Sequence, residues 1–190
     1  MEYLTLPFVE IEIRFGTLNK TFDSSIDKKY FEKINTVLKS GEWKSIETKN
    51  TIEQFQDNIR LINDTNLVMK ENVVTKTISI NNSPFDIRFS VNQEFSLPSY
   101  KSSFTKKDFS RDKQRTSYIS DHFKYDLTVV KEKKNNINTT KYEVEIELIV
   151  NETTLTWDNK YIYDFLECKI YDIIAIVEPI PRNTFSIDLK

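Results

Sequence analysis

Two runs of alternating glutamate constrain this chain more than any other feature: Val9-Glu10-Ile11-Glu12-Ile13-Arg14 and Tyr142-Glu143-Val144-Glu145-Ile146-Glu147-Leu148. The alternation predicts two β-strands, because successive side chains on a strand point to opposite faces and every second residue shares a face. Carboxylates two residues apart then lie roughly 6.5–7 Å from each other, and like charges so placed repel. Glu10, Glu12, Glu143, Glu145 and Glu147 therefore need cations to hold them together. Hard divalent ions such as Mg2+ or Mn2+ prefer carboxylate oxygen, so a carboxylate metal site is the first expectation.

Composition narrows the rest. The length of 190 residues suits a single domain, 1–190, with a substantial core. A formal net charge of -2 gives no global attraction to nucleic acid, so any polyanion must be met by locally sorted charge. One cysteine, Cys168, excludes an internal disulfide framework, and one histidine, His122, excludes a multi-histidine zinc site. Cys168 falls in an apolar helical pattern with Leu166 and Ile170, which reads as a core thiol, and His122 beside Asp121 reads as a turn residue. No apolar run reaches the roughly 20 residues needed to span a bilayer, and no basic stretch followed by an apolar one opens the chain. We therefore expect an intracellular protein with no membrane partner.

Along the chain, a helix is expected from Ser24-Ser25 to Gly41, carrying Tyr30, Phe31, Ile34, Val37 and Leu38 at helical spacing. From Trp43 the period changes to two, with strands expected at 51–56, 59–62, 67–70, 73–80, 85–95, 111–120, 123–133 and 141–150. Clusters at 63–66, 81–84 and 134–138 read as turns, and Pro98 to Asp108 as a loop. A second helix is expected from Lys160 to Val177, ended by Pro179 and Pro181. Many antiparallel strands at short spacing imply a mainly β (α+β) fold, a closed barrel or a sandwich with the two helices outside.

One face of that sheet is polar in a sorted way. Asp86, Arg88, Ser90, Asn92 and Glu94 share a face, as do Arg111, Lys113, Arg115 and Ser117, and Lys124, Asp126 and Thr128. A solvated sheet face usually mixes signs, since opposite charges across strands attract. Here acids cluster on the first and last long strands and bases on the middle ones, which favours a lined tunnel over an ordinary wet face. An apolar outside around a polar inside would suit a membrane barrel, but the two amphipathic helices can cover the outside. Carboxylates on one wall and guanidinium and ammonium groups on the other suit a polyphosphate chain bound through a divalent metal. Two glycines cannot make a Walker-type loop.

Five blocks, Glu10-x-Glu12-x-Arg14, Arg88-x-Ser90, Arg111 to Tyr118, Lys124-x-Asp126-x-Thr128 and Glu143-x-Glu145-x-Glu147, occur in the order that resembles the triphosphate tunnel metalloenzymes. The pattern is similar to metal-dependent RNA 5′-triphosphatases of fungal and viral mRNA capping, above all to the N-terminal triphosphatase domains of giant-virus (mimivirus-type) capping enzymes. The resemblance implies a closed eight-stranded antiparallel β-barrel with a charged interior, and removal of the γ-phosphate from triphosphate-ended RNA, leaving a diphosphate end. It also implies hydrolysis of free nucleoside triphosphates with manganese or cobalt. Carried over, Glu10, Glu12 and Glu147 would ligate the metal, a magnesium or manganese ion, with Glu143 and Glu145 in support on the tunnel floor, ordering metal-bound water or neighbouring basic side chains, and Glu145 joining Arg88, Lys113 and Arg115 as catalytic. Arg88, Lys113 and Arg115 would hold the γ-phosphate, and Arg14, Arg111, Lys124, Asp126 and Thr128 would complete the substrate wall. Glu94 and Lys106 or Lys107 are the stand-ins for further basic and water-orienting residues. Arg14 also resembles the position of a lysine in the wider group hydrolysing inorganic or thiamine triphosphate, so that activity, or a non-catalytic polyphosphate-binding module, is the alternative. The sequence carries no nucleotidyl-transfer or methyltransferase motif, so guanylyltransferase and methyltransferase domains, if linked, would lie in other parts of a longer chain. If the protein is viral, the host cytoplasm or the virion is the expected setting.

Overall fold

Alternation of apolar and charged residues closes into a barrel turned inside out, with charge within and oil without. The computed structural model describes residues 2–56, 58–81, 83–98, 109–134 and 137–182. The elements are β1 (Val9–Leu18), β2 (Phe22–Asp23), α1 (Lys28–Lys39), β3 (Ser45–Gln56), β4 (Ile59–Ile62), β5 (Asn66–Ile78), β6 (Asp86–Leu97), β7 (Phe109–Ile119), β8 (Phe123–Lys134), β9 (Ile137–Leu148) and α2 (Asn159–Val177). The sheet runs β2-β1-β6-β5-β4-β3-β7-β8-β9, and β1 also pairs with β9. That last pairing closes eight strands into a tunnel and leaves β2 as a two-residue flap on β1.

Several expected boundaries shift for physical reasons. α1 starts at Lys28 rather than at Ser24-Ser25, because Asp27 is the extended N-cap residue. The stretches expected as separate strands at 67–70 and 73–80 are one strand, β5, with a register shift between Asn72 and Val74. Such a bulge reverses which face each later residue presents, so a strict period of two breaks there. The strand expected at 51–56 begins six residues earlier, at Ser45. Most of the loop expected at 98–108 lies outside the described residues. The turn at Asn63-Asp64 is confirmed: both residues have positive φ, 51° and 57°, a conformation that Asn and Asp tolerate better than most residues.

The core lies between the outer barrel wall and the helices. Ile11, Ile13 and Phe15 of β1, Ile87 and Val91 of β6, Tyr125 and Leu127 of β8, and Val144, Ile146 and Leu148 of β9 are buried there. α1 meets them with Phe31, Ile34 and Leu38, and α2 with Ile162, Leu166, Ile170, Ile173 and Ile174, spacings that hold one helical face on the wall. Asp158 caps α2 by accepting from the Tyr161 amide at 2.7 Å. The helix stops at Glu178, whose extended backbone suits the following Pro179. Trp43 packs on Tyr118, Phe123 and Tyr125 and donates its indole N–H to the Leu38 carbonyl at 2.6 Å. Cys168, expected in the core, is only half-buried. The helices cover one side alone: on the far side Ile46, Ile52 and Val73 remain exposed. Among the described residues no helix is long and apolar enough to cross a membrane.

Of the two glycines, Gly16 is the one that leaves no room for a side chain. A Cβ there would lie 2.0 Å from the Asp23 carbonyl oxygen and 2.7 Å from the Phe22 ring. We predict that Gly16→Ala forces β2 off β1 and destabilises the protein by about 1–3 kcal/mol in urea titration; an unchanged midpoint would show that the flap is not fixed.

Candidate active site

The inward faces of the strands carry the charged residues, and neighbouring strands interlock them. β1 sets Glu12 opposite Ser90 of β6 and Glu147 of β9, and Arg14 opposite Arg88 and Glu145. β8 sets Lys124 opposite Glu147, Asp126 opposite Glu145, and Thr128 between Glu143 and Arg115. Glu12, Lys113, Asp126, Thr128, Glu143 and Glu145 are all buried. Buried charges require partners, because an unpaired one costs several kcal/mol.

Arg115 shows how completely this is met. Its Nη1 lies 3.0 Å from Asp126, its Nη2 3.1 Å from Glu145, and its Nε donates to the Thr128 hydroxyl at 3.2 Å. Ser117 gives Asp126 a further hydrogen bond at 2.5 Å. Arg14 reaches Glu145 at 2.8 Å and Glu12 at 3.1 Å. Arg111 sits between Glu143 at 2.5 Å and Glu132 at 3.1 Å, and Ser24 also donates to Glu143. Lys124 pairs with Glu147 at 2.9 Å, and Lys113 with Glu53 at 2.7 Å.

Arg88 is different. Among the described residues it has no carboxylate partner, its Nε has no hydrogen-bond partner, and its guanidinium lies 4.5 Å from the centre of the Phe22 ring. Burial, and then the like charge of Arg14 across the strands, lower its proton affinity. Two guanidinium groups on facing positions with one uncommitted make a place for an anion. They line a cavity of about 360 Å3 shared with Glu12, Lys70, Arg111 and Lys113. A second hollow, of about 410 Å3, lies among Asn50, Ile52 and Gln114 on the outer wall, away from that guanidinium pair.

Every block expected from the sequence thus faces the tunnel, but the sorting into an acidic and a basic wall is incomplete, since acids and bases interleave as ion pairs. Sequence reading missed Glu53, Arg60 and Lys70. Lys70 binds Glu10 by a short contact and lies 3.3 Å from Glu12 and 3.4 Å from Glu94; Arg60 binds Glu94. The signal for Glu53 was the alternation Glu47, Lys49, Thr51, Glu53, and for Lys70 it was hidden by splitting β5 at its bulge. Lys106 and Lys107 lie outside the described residues.

Among the described residues no three acidic, histidine or cysteine side chains converge closely enough to ligate one ion as they stand. The donors nevertheless fit a hard cation. Glu12 and Glu147 are directly opposed, Glu10 is on the same strand face as Glu12, and the Lys70 ammonium stands in as a cation between Glu10 and Glu12. Burial, with Glu10 and Asp126 adding to it against Lys124, pushes the Glu147 carboxyl up to about 7. Burial and Glu12 likewise raise Glu10. Burial alone would raise Glu145 too, but Arg14 and Arg115 bring it down to about 2. Glu10 and Glu147 thus keep raised proton affinity despite Lys70 and Lys124 beside them, and their oxygen donors suit a hard divalent ion.

The profile of the family described as "mRNA capping enzyme, beta chain" matches residues 17–161. The chain belongs to that family, the mRNA triphosphatases. It is accordingly a hydrolase acting on the 5′-triphosphate end of RNA in cap formation. The match starts beyond Glu10 and Glu12, which rest on the barrel geometry instead. Among solved structures, the S. pombe Pct1 RNA triphosphatase superposes with a TM-score of 0.75 at 18% identity, covering 91% of this chain and 88% of that one. The same protein in complex with the Spt5 CTD gives 0.70 at 19%, covering 91% and 89%. The Mimivirus capping enzyme triphosphatase gives 0.60 at 19%, covering 93% and 92%. At these identities the likeness establishes the fold. No curated protein sequence matches the chain.

Two predictions follow from the pairing. Arg115→Ala leaves Glu145 to Arg14 alone and Asp126 to Ser117 and the more distant Lys124, so chemical denaturation should show a loss of up to about 3–5 kcal/mol, whereas Arg88→Ala, which removes no carboxylate's partner, should lose far less; equal losses would refute the distinction. Because the folded value of Glu147 lies above the ordinary 4.5, stability of the metal-free protein should fall as pH rises from 4.5 to about 7. Because that of Glu145 lies below 4.5, its contribution should disappear as pH falls from 4.5 to about 2. Adding Mn2+ should remove the alkaline fall, read from urea midpoints at about pH 5 and about pH 8; a fall that persists with metal would count against the carboxylates as its donors.

Proposed function

We propose that the tunnel performs metal-dependent removal of the γ-phosphate from triphosphate-ended RNA, the first step of cap formation, with side activity on nucleoside triphosphates. The observation that carries the reading is Arg88, a guanidinium with no carboxylate partner among the described residues, held opposite Arg14 in a cavity whose other charged residues are ion-paired. A terminal phosphoryl group is the anion such a pair grips, since guanidinium binds phosphate oxygens in bidentate fashion.

In this reading Arg88 and Lys113 hold the γ-phosphate and offset the charge that builds on its oxygens. Burial lowers the Lys113 ammonium against the pull of Glu53, and a phosphate beside it would favour its charged form. Arg115, expected beside Arg88 and Lys113 at the γ-phosphate, has three donors committed to Asp126, Glu145 and Thr128 and positions the acidic floor, while Arg111, held by Glu143 and lining the cavity with Lys113, is offered to the inner phosphates. Lys124, Asp126 and Thr128 complete that wall. Glu10, Glu12 and Glu147 would hold the divalent ion, Mg2+ or Mn2+, with Glu143 and Glu145 in support. When bound, that ion supplies Lewis-acid polarisation of the phosphoryl group and neutralises its charge. Glu94, kept ionised by Arg60 and Lys70 against the effect of burial, is the carboxylate offered to the attacking water. Water adds to the γ-phosphorus in line as the bridging P–O bond to the β-phosphate breaks. The products are inorganic phosphate and an RNA 5′-diphosphate.

We read residues 1–190 as one triphosphatase domain acting inside the cell, in the host cytoplasm if the protein is viral. The guanylyltransferase and methyltransferase steps fall to linked domains or separate chains.

Phosphate release from triphosphate-ended RNA should require divalent metal and cease with chelator. Glu10→Ala, Glu12→Ala and Glu147→Ala should each abolish turnover while circular dichroism stays that of a folded protein. Arg88→Ala and Lys113→Ala should lower it far more than Lys134→Ala at the exposed end of β8. Full activity in any glutamate variant removes that residue from the metal site. Faster hydrolysis of inorganic or thiamine triphosphate than of RNA ends would favour the small-molecule branch of the tunnel enzymes.

A further inference from the structure

The inward rows of β3 and β7 run through charged residues, Glu53 on one and Arg111 and Lys113 on the other. Both rows end on an aromatic ring at the same end of the barrel. Phe55 and Phe109 lie just past the last ladder pair, Gln54 and Ser110, with centroids 5.3 Å apart and planes tilted by 38°. Neither belongs to the hydrophobic core, which lies outside the barrel. Phe55 is half-buried and lines the same cavity as Arg88, Arg111 and Lys113, next to Asn58. A phenyl ring in the wall of a charged cavity gains nothing from water there, but it offers a flat apolar face to a flat apolar ligand.

We propose that Phe55, backed by Phe109, is the stacking platform for the first nucleobase of the substrate, and so the residue that separates a nucleoside triphosphate from a bare polyphosphate. The inference rests on the phosphate-site reading above and adds the nucleoside to it. Inward residues on one strand repeat every 6.5–7 Å or so, so Phe109, Arg111 and Lys113 form a line spanning roughly 13 Å. That span matches an extended nucleoside triphosphate with its γ-phosphate at Lys113, its inner phosphates at Arg111 and its base on the aromatic pair. Stacking needs no hydrogen-bond readout and accepts any base, as the 5′ end of arbitrary transcripts demands. Phe109 braces Phe55 from the adjacent strand and fixes the angle of its face. The same platform serves a free nucleoside triphosphate and the first residue of an RNA.

The test compares binding and turnover of three ligands in manganese buffer: triphosphate-ended RNA, a nucleoside triphosphate and inorganic tripolyphosphate. Equilibrium binding uses non-hydrolysable forms of the two nucleotides. Phe55→Ala should weaken binding of both nucleotides by at least about fivefold, the low end of base stacking on aromatics, and raise their KM alike with kcat little changed. Tripolyphosphate binding and hydrolysis should stay as in the unaltered protein, and Phe55→Trp should restore the nucleotide affinity. If Phe55→Ala weakens tripolyphosphate equally, the ring only props the barrel and the proposal falls. If no ligand is affected, it falls as well. A protein that hydrolyses none of the three overturns the hydrolase reading by itself, while the binding comparison still decides the platform.

Discussion

Asp126 and Glu145 are 0% and 4% exposed, and a single guanidinium, that of Arg115, holds them both. Around this clamp the rest of the interior is arranged, because a closed sheet lined with carboxylates would otherwise be driven apart by its own charge. Thr128, Ser117, Arg14 and Lys124 extend the clamp to four strands. The barrel can stay hollow and polar only because its apolar stabilisation comes from elsewhere, the seam between the outer wall and the two helices. Interior and exterior have exchanged their usual roles, and the chain answers with strict alternation on β1, β8 and β9.

That alternation explains what could be read from the residues alone. Where a strand is regular and long, as in Glu10 to Arg14 or Glu143 to Glu147, each inward residue is legible one by one. The barrel, the outer helices and the acidic and basic blocks followed from it. Legibility failed at the β5 bulge, where one extra residue reverses the faces and conceals Lys70, and at β4, whose four residues are too few to show a period. Pairing was also beyond reach. Nothing in the sequence distinguishes Arg115, tied to three partners, from Arg88, which has no carboxylate partner among the described residues, though both sit on inward faces. Which cation is spoken for depends on cross-strand register, and register is a property of the whole closed sheet.

The contrast between Arg88 and its neighbours also divides the labour of the tunnel. Glu143, Glu145, Asp126 and Arg115 form a floor whose charges are satisfied before any ligand arrives. Arg88 and the carboxylates of Glu10 and Glu147 are left in less settled electrostatic states. A site built in this way spends little on reorganisation, since the fixed dipoles and charges are in place and only a few groups change partners.

The apolar layer beneath the helices takes in β1, β6, β8, β9 and the later part of β5, and leaves Ile46 and Ile52 of β3 and Val73 of β5 exposed. The tunnel is therefore a hull planked double on one side and single on the other. Glu10, Glu12, Asp126 and the glutamates of β9 stand on the double planking, while Glu53, Arg60, Lys70 and the Phe55 ring stand on the single. The carboxylates of β1 and β9 thus stand on a wall backed by a second apolar layer, and the Phe55 ring on a wall with exposed side chains behind it.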